Sequence, residues 1–357
     1  MTHRSGDRRP SQVVAPLVLA LAAAVLLLLI AGANPVEAFR LLLEGSVGSG
    51  AKVSDTLTVW VHLALASTGL VATFSAGLWN IGIEGQIIAG AIAASWVARE
   101  APGPGWLVIA IAVMAGAVGG VLWALLAGIL RTRGGVNEIF GGLGLDFVAA
   151  GLAVFLIIGP WKREGIASTS GTDLFRREVW LPTLANQRLS LVALGLGIAA
   201  IVFVYVLMRR TRFGLRLRAV GSSERSAFLA GVPAERYILA AFAVCGALAG
   251  IAGTVQAIGV HHKLVPSISG GFGFLGILVV LLAGFRAAWI GPIALFFVMI
   301  SVGSTQLQLQ MGLDSALGGV LQGIIVLFVL LVGGWQRRAR RQAAAAEAAS
   351  QPVGAEV

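Results

Sequence analysis

The strongest constraint on the fold is a series of apolar runs, many of them close to the roughly 20 residues that a helix needs to cross a bilayer. Hydrophobic residues make up 57% of the 357-residue chain, and charged residues make up only 12%. A soluble domain carries about 25% charged residues. The sequence therefore predicts an all-α membrane protein that crosses the bilayer many times.

The apolar runs divide the chain into ten predicted spans, of which eight to ten cross the membrane. They lie at 13–33, 57–76, 83–99, 105–130, 139–159, 189–208, 238–257, 272–285, 289–308 and 316–335. The first run is longer than the apolar core of a signal peptide, about 7–15 residues, so we interpret it as a retained span, with a cleavable signal as the alternative. The run 272–285 is either a short span or a re-entrant segment.

Basic residues predict the orientation, because cytoplasmic loops of membrane proteins are enriched in Lys and Arg. With the N-terminus inside, most of the 26 Lys and Arg residues fall on the cytoplasmic side, and both termini are cytoplasmic. The predicted parts are a cytoplasmic tail (1–12), a transmembrane domain (13–335) with a cytoplasmic loop at 209–236, and a disordered cytoplasmic tail (336–357). Membrane lipid is thus the expected neighbour of the basic residues, and we predict no nucleic-acid partner.

A polar stretch, LWNIGIEGQIIAG at 78–90, interrupts the apolar sequence and supplies the first candidate site residues. Asn80 is a predicted N-cap, and Glu84 would lie in the following first turn, near the positive helix end. Gln86, about 200° around the helix from Glu84, is expected to point elsewhere. The cluster is either a capped helix start that holds a break between two helices or the polar lining of a translocation path.

A second polar segment, RTRGGVNEIFGGLGLDFVA at 131–149, adds Asn137, Glu138 and Asp146 as candidates. If the segment is helical, Asp146 lies about 12 Å deeper in the membrane than Glu138. An acid at such a depth costs about 2.5–3.5 kcal/mol on insertion scales, so Asp146 should face a partner or a wet cavity. Path lining and buried hydrogen bonding are both open.

The longest cytoplasmic segment, at 208–237, contains a predicted short helix from Glu224 to Ala230. Ser222 and Ser223 are candidate N-caps, Gly231 suits the C-terminal position, and a proline two residues later prevents continuation. A short capped helix between two spans indicates a docking element for a cytoplasmic partner. The alternative is that the basic residues of this segment bind anionic lipid headgroups.

Other patterns predict tight packing and no chemistry. The pairs Gly116-x3-Gly120 and Gly246-x3-Gly250 place small residues on one helix face, where helices approach closely. The segment 45–54 looks like a phosphate loop, but its Lys comes one residue late. The single Cys245 excludes an intrachain disulfide. We predict no catalytic residue, no metal site and no cofactor in this chain.

Four segments, in order, resemble the motifs of one family. Residues 80–86 (NIGIEGQ) resemble the NxGxEGQ signature of ABC-importer permeases for nucleosides and simple sugars, of the branched-chain amino acid and ribose type. Residues 135–138 (GVNE) resemble the family's VNE segment, and 218–221 (RAVG) with 230–232 (AGV) resemble its coupling loop. Residues 271–277 (GFGFLGI) are similar to its later glycine-rich span. The resemblance covers roughly residues 55–335, with departures at Trp79, Gly141, Gly142 and Asp146.

The resemblance implies a type II importer permease that forms the translocation path by alternating access and catalyses nothing. It implies a cytoplasmic ATPase that binds ATP and Mg²⁺, a second homologous permease forming a heterodimer, and an extracytoplasmic substrate-binding lipoprotein, all at a bacterial plasma membrane. The residues implied to couple to the ATPase are Gly221, Ser222, Glu224, Arg225, Ala230 and Gly231.

The residues alone leave two other classes open. Broken helices and an intramembrane carboxylate also suit a secondary transporter or channel that an ion gradient drives. A membrane scaffold without transport activity is the third possibility.

Overall fold

The computed structural model describes residues 11–163, 169–185, 187–314 and 316–350, and this part of the chain is helical with no β-strand. The helices are α1 (Ser11–Ile30), α2 (Pro35–Val47), α3 (Gly50–Ser75), α4 (Ile83–Glu100), α5 (Gly105–Thr132), α6 (Glu138–Ile158), α7 (Leu191–Arg210), α8 (Arg212–Ser222), α9 (Glu224–Leu229), α10 (Ala234–Val255), α11 (Phe272–Leu282), α12 (Ala287–Met311) and α13 (Leu317–Ser350). A π-helical turn, Gln256–His261, continues α10. The predicted all-α membrane fold is confirmed.

Six helices within the described residues are long and apolar enough to cross a membrane: α3, α5, α6, α7, α10 with its π-helical turn, and α12. The chain bends by 104° between α1 and α2, and these two helices form at most one further span. At 1.5 Å per residue, α11 is about 16 Å long, roughly half of the apolar core of a bilayer. The predicted number of ten spans is therefore not confirmed.

The described residues divide into two compact units, one within 46–299 and the other made of 11–45 with 300–350. The second of these has an apolar core of short and branched side chains from α1, α2, α12 and α13. Its fully buried members include Leu28, Ala38, Leu41, Leu307 and Leu321.

The first unit, 46–299, is built around a contact that we call the glycine seam, where α4, α5 and α10 meet at Gly90, Gly116, Gly120, Gly246 and Gly250. A Cβ atom added at Gly250 would collide with the backbone of Gly116, and one added at Gly120 would collide with the backbone of Gly246. The two predicted small-residue pairs thus face each other, and the prediction of tight packing is confirmed.

Three features of the observed elements differ from the sequence prediction. The region of α2, which lies between the first two predicted spans, is helical although it is short and carries Glu37, Arg40 and Glu44. The basic stretch before the predicted docking helix is itself helical, as α8. Helix α13 continues to Ser350, past residue 336, where the disordered tail was predicted to begin. The residues 336–350 are rich in Ala, Arg and Gln, which are strong helix formers. The rest of the two predicted tails, 1–10 and 351–357, lies outside the described residues.

Candidate functional site

Residues 76–82 separate α3 from α4, and we call them the break. Helix α3 ends when Gly77 adopts a φ of +77°, in the left-handed region that glycine enters at no steric cost. The amide of Leu78 donates a hydrogen bond to the carbonyl of Thr73 and closes the helix end. The interruption predicted from the polar stretch at 78–90 is therefore present.

Asn80 and Gln86 form a reciprocal pair of amides in the protein interior. Nε2 of Gln86 donates to Oδ1 of Asn80 at 3.0 Å, and Nδ2 of Asn80 donates to Oε1 of Gln86 at 3.3 Å. Nδ2 of Asn80 also lies 3.2 Å from Sγ of Cys245 on α10. The prediction that Asn80 caps α4 is wrong, because Gly82 holds the N-cap position without a side-chain hydrogen bond. Gln86 was predicted to point away from Asn80, and its two hydrogen bonds with Asn80 show that this prediction is also wrong.

Glu84 lies in the first turn of α4, as predicted, but its carboxylate binds the start of another helix. Oε1 accepts hydrogen bonds from the amides of Gly273 at 2.7 Å and Phe274 at 3.1 Å, both in the first turn of α11. The first amides of a helix have no partner within their own helix, and they carry partial positive charge. Glu84 therefore caps α11 and ties it to α4.

Asp146 makes the corresponding contact with α4 itself. Its Oδ1 accepts a hydrogen bond of 2.7 Å from the amide of Gly85, in the first turn of α4. A Cβ atom at position 85 would lie 2.8 Å from this oxygen and 2.8 Å from Nε1 of Trp123. Among the described residues, neither Oδ2 of Asp146 nor Nε1 of Trp123 has a hydrogen-bond partner. The contact leaves no room for a side chain at Gly85.

Helix α6 also touches the break through backbone atoms. Gly142 of α6 packs on Gly82, where a Cβ atom on Gly82 would approach Cα of Gly142 to 2.8 Å. Asn137 caps α6, since its Oδ1 accepts from the amide of Ile139 at 2.9 Å, and it is exposed. The structure thus places Asn137 at the start of α6, on the surface, and Asp146 at the break.

The predicted docking helix exists as α9, with the predicted caps. Oγ of Ser223 accepts from the amide of Ser226 at 3.2 Å, whereas the hydroxyl of Ser222 donates to the carbonyl of Arg218 in α8. Gly231 has a φ of +77° just after the helix end, and the amide of Val232 donates to the carbonyl of Ala227. Arg225, Ala230 and Gly231 lie on the exposed surface.

Gly221, at the end of α8, packs directly on the break. A Cβ atom at this position would collide with the carbonyl oxygen of Ser75 and would approach the amide of Gly77 to 3.0 Å. The segment that precedes α9 and the end of α3 are therefore in backbone contact. One predicted coupling residue, Gly221, thus lies against the break, which contains the predicted path residue Asn80.

Arg131, in the last turn of α5, makes a second connection between the predicted path residues and the predicted coupling residues. Its guanidinium lies 3.1 Å from the carboxylate of Glu138 and 3.3 Å from that of Glu224. Sequence reasoning missed Arg131, because an arginine at the cytoplasmic end of a predicted span is common and carries no distinctive signal.

The polar groups at the break serve mainly to bind other parts of the chain. Each amide and carboxylate group of Asn80, Gln86, Glu84 and Asp146 has at least one protein partner. The arrangement holds three helix ends, those of α3, α4 and α11, at one place. This favours the structural interpretation of the polar stretch.

The chain is an all-α membrane protein with a capped helix between two spans, and comparison with known proteins identifies its family. The family model described as the branched-chain amino acid transport system permease component matches residues 53–330. The chain belongs to this family. It is a multi-pass membrane protein and the permease component of an ABC importer, and it is not itself an enzyme.

Curated relatives match over most of their length. The chain is 30% identical to a glucose ABC transporter permease protein of Haloferax volcanii, over 89% of this chain and 86% of the relative. It is 28% identical to a guanosine ABC transporter permease protein of Bacillus subtilis, over 90% and 94%. It is also 28% identical to a nucleoside ABC transporter permease protein of Lactococcus lactis, over 85% and 86%. Permease components of such importers work with an ATPase and a substrate-binding protein.

Proposed function

We propose that this permease carries nucleosides or simple sugars into the cell. This substrate class is supported by the relatives of the chain, which are permeases for glucose, guanosine and nucleosides. These solutes share a sugar ring with several hydroxyl groups. The permease recognises that common part weakly, and an external binding protein supplies most of the selection.

Its working partners are a cytoplasmic ATPase that binds ATP and Mg²⁺, a second homologous permease and an extracytoplasmic substrate-binding lipoprotein. The support for the ATPase comes from α9. Phe228 and Leu229 are 72% and 79% exposed, yet they lie in the loop predicted to face the cytoplasm, where water and not lipid surrounds them. Two adjacent apolar side chains on a capped helix in water fit a protein partner.

Closure of the ATPase dimer pushes on α9, and the attached helices rock so that the path opens alternately to the two sides. Two contacts support this transmission: Gly221 packs against the end of α3, and Glu224 is paired with Arg131. In this mechanism Asn80, Glu84, Gln86 and Asp146 hold the break at the inner end of the path. Asn137 and Glu138 fix the start of α6.

Uptake of labelled guanosine, adenosine and glucose into cells with and without this gene tests the proposal. Each assay is run with ATP depleted and, separately, with the ion gradient collapsed. We expect gene-dependent uptake that persists without the gradient and disappears without ATP. Uptake that needs the gradient and survives ATP depletion would instead identify a gradient-driven carrier. Glu84 and Asp146 would then be the first residues to test as ion sites.

A further inference from the structure

Arg131 connects the ends of three helices. It lies in the last turn of α5, Glu138 begins α6, and Glu224 begins α9. Its Nε atom is 3.1 Å from Oε2 of Glu138, and its Nη2 atom is 3.3 Å from Oε1 of Glu224. The contact with Glu224 is a hydrogen bond. Among the described residues Nε has no hydrogen-bond partner, so the contact with Glu138 is an ion pair only. A guanidinium can attract two carboxylates at once because its charge is delocalised over the whole planar group.

The two glutamates belong to two different parts of the proposed mechanism, the ATPase-facing helix and the helix that packs on the break. Glu224 starts the helix on which the ATPase acts. Glu138 starts α6, which touches the break through Gly142. One turn further on, Asp146 of α6 accepts a hydrogen bond from the amide of Gly85 in the first turn of α4. A continuous series of contacts therefore runs from α9 through Arg131 and α6 to the first turn of α4.

We infer that Arg131 is a positioning residue for transport: it holds the start of α6 to α9, so that displacement of α9 displaces α6 and its contacts with the break. The inference rests on the proposed function, since it takes α9 to be the helix on which the ATPase acts. It adds a second connection to the direct packing of Gly221 on the end of α3.

The half of the bridge that reaches α9 contributes little to stability. The side chains of Arg131 and Glu224 are 32% and 49% exposed, and ion pairs at such exposed positions add little to folding because water screens them. Loss of Arg131 should therefore change coupling while the protein remains folded. The side chain of Glu138 is 12% exposed, so the thermal midpoint is measured together with coupling.

The chain offers a matched control two residues further on. Nε of Arg133 lies 2.8 Å from Oε1 of Glu235. This pair also joins the end of α5 to the first turn of a neighbouring helix, but that helix is α10. It is also an arginine–glutamate pair, with side chains 69% and 48% exposed, and neither of its two residues belongs to α6 or α9.

The test uses the complex of this permease with its ATPase and binding protein in lipid vesicles, with labelled guanosine and glucose as probes. The quantity measured is the number of solute molecules moved per ATP hydrolysed, with the thermal midpoint of the complex as a measure of folding. We expect Arg131→Ala to lower this ratio about five-fold or more, as loss of an energetic coupling between sites does. Arg131→Lys, which keeps the charge but not both contacts, should lie between. Arg133→Ala should change the ratio by less than about two-fold.

Double substitutions distinguish loss of the Arg131–Glu224 contact from a general effect of removing charge. Adding Glu224→Gln to Arg131→Ala should cause no further loss, whereas adding it to Arg133→Ala should lower the ratio, because residues that share one interaction are not additive. An unchanged ratio in Arg131→Ala, or equal losses in Arg131→Ala and Arg133→Ala, would overturn the inference and leave the proposed function standing. Failure of the unsubstituted complex to move either solute with ATP would instead count against the proposed function.

A second pair of variants applies if the Arg131→Ala complex does not assemble, as judged by copurification of the ATPase. Glu138→Gln and Glu224→Gln each neutralise one end of the bridge and keep the arginine. A lowered ratio in both supports the inference, and an unchanged ratio in either one contradicts it.

Discussion

Two carboxylates lie within apolar helices, and each binds backbone amides at the start of a helix. Glu84 accepts from Gly273 and Phe274, and Asp146 accepts from Gly85. A charged side chain within a membrane costs about 2.5–3.5 kcal/mol on insertion scales. Charge-assisted hydrogen bonds to the free amides of a helix start offset part of that cost. At the residue scale, each of these acids therefore binds one helix to the start of another.

Glu84 should be more important for stability than an exposed acid of the same type. We expect Glu84→Ala to lower the free energy of unfolding by about 2 kcal/mol, because two amides of α11 lose their acceptor. Glu84→Gln should cost about 1 kcal/mol, since its oxygen still accepts a hydrogen bond. The thermal midpoint of the purified protein in detergent measures both, with Glu178→Gln, at an exposed position, as the control. Equal midpoints for Glu84→Ala and the control would contradict this role.

Local sequence rules located the break but not its partners. A glycine and an asparagine inside an apolar run indicate an interruption whatever surrounds them, and the interruption is present. The partners of Asn80 are Gln86 and Cys245, the second of which is distant in sequence on α10. The capping preference of Asn is a local tendency, and here a buried contact with two other side chains overrides it. Long-range contacts of this kind are not encoded in any local pattern.

At the scale of elements, the glycine seam is a place of very close backbone packing in the 46–299 unit. At Gly90, Gly116 and Gly250 the backbones of α4, α5 and α10 approach so closely that an added Cβ atom at Gly250 or Gly90 would overlap a neighbouring backbone. Small residues favour such close approach in membranes because van der Waals contact between backbones replaces contact with lipid.

Alanine at the seam should be costly although it improves intrinsic helix propensity. We expect Gly250→Ala to lower the free energy of unfolding by about 1–3 kcal/mol, since backbone atoms must move apart to admit the methyl group. Gly151→Ala in α6 is the control, because nothing lies within 4 Å of its added Cβ atom, and it should be neutral or slightly stabilising. Thermal unfolding of the two variants in the same detergent measures the difference, and equal midpoints would count against tight packing at this point.

Element prediction succeeded for long apolar runs and for the capped helix α9, and failed for the charged helices α2 and α8. Helix α5 was predicted at 105–130 and observed at Gly105–Thr132. Helix α2 was missed, because its 13 residues include two acids and an arginine and so do not form a span-length apolar run. Helix α8 was missed for a similar reason, since its 11 residues are rich in arginine and do not form an apolar run. A search for spans detects length and hydrophobicity, and these helices lack both.

At the scale of the whole protein, α9 is the surface on which assembly with an ATPase is expected to depend. We predict that Phe228→Ala with Leu229→Ala abolishes copurification of the ATPase and leaves the thermal midpoint of the isolated permease unchanged, since both side chains are exposed. Phe147→Ala in α6 is a matched control, because this side chain is 71% exposed on a predicted membrane span. Retention of the ATPase by the double variant would show that the docking surface lies elsewhere.

The glycine seam also has a mechanical consequence. Helices in contact through backbone atoms cannot slide past one another by changing side-chain rotamers, because no rotatable groups separate them. We therefore expect α4, α5 and α10 to travel as one rigid body during transport. The hinge then falls at residues 76–82, which join α3 to this body. Solute should pass beside this rigid body and not through it.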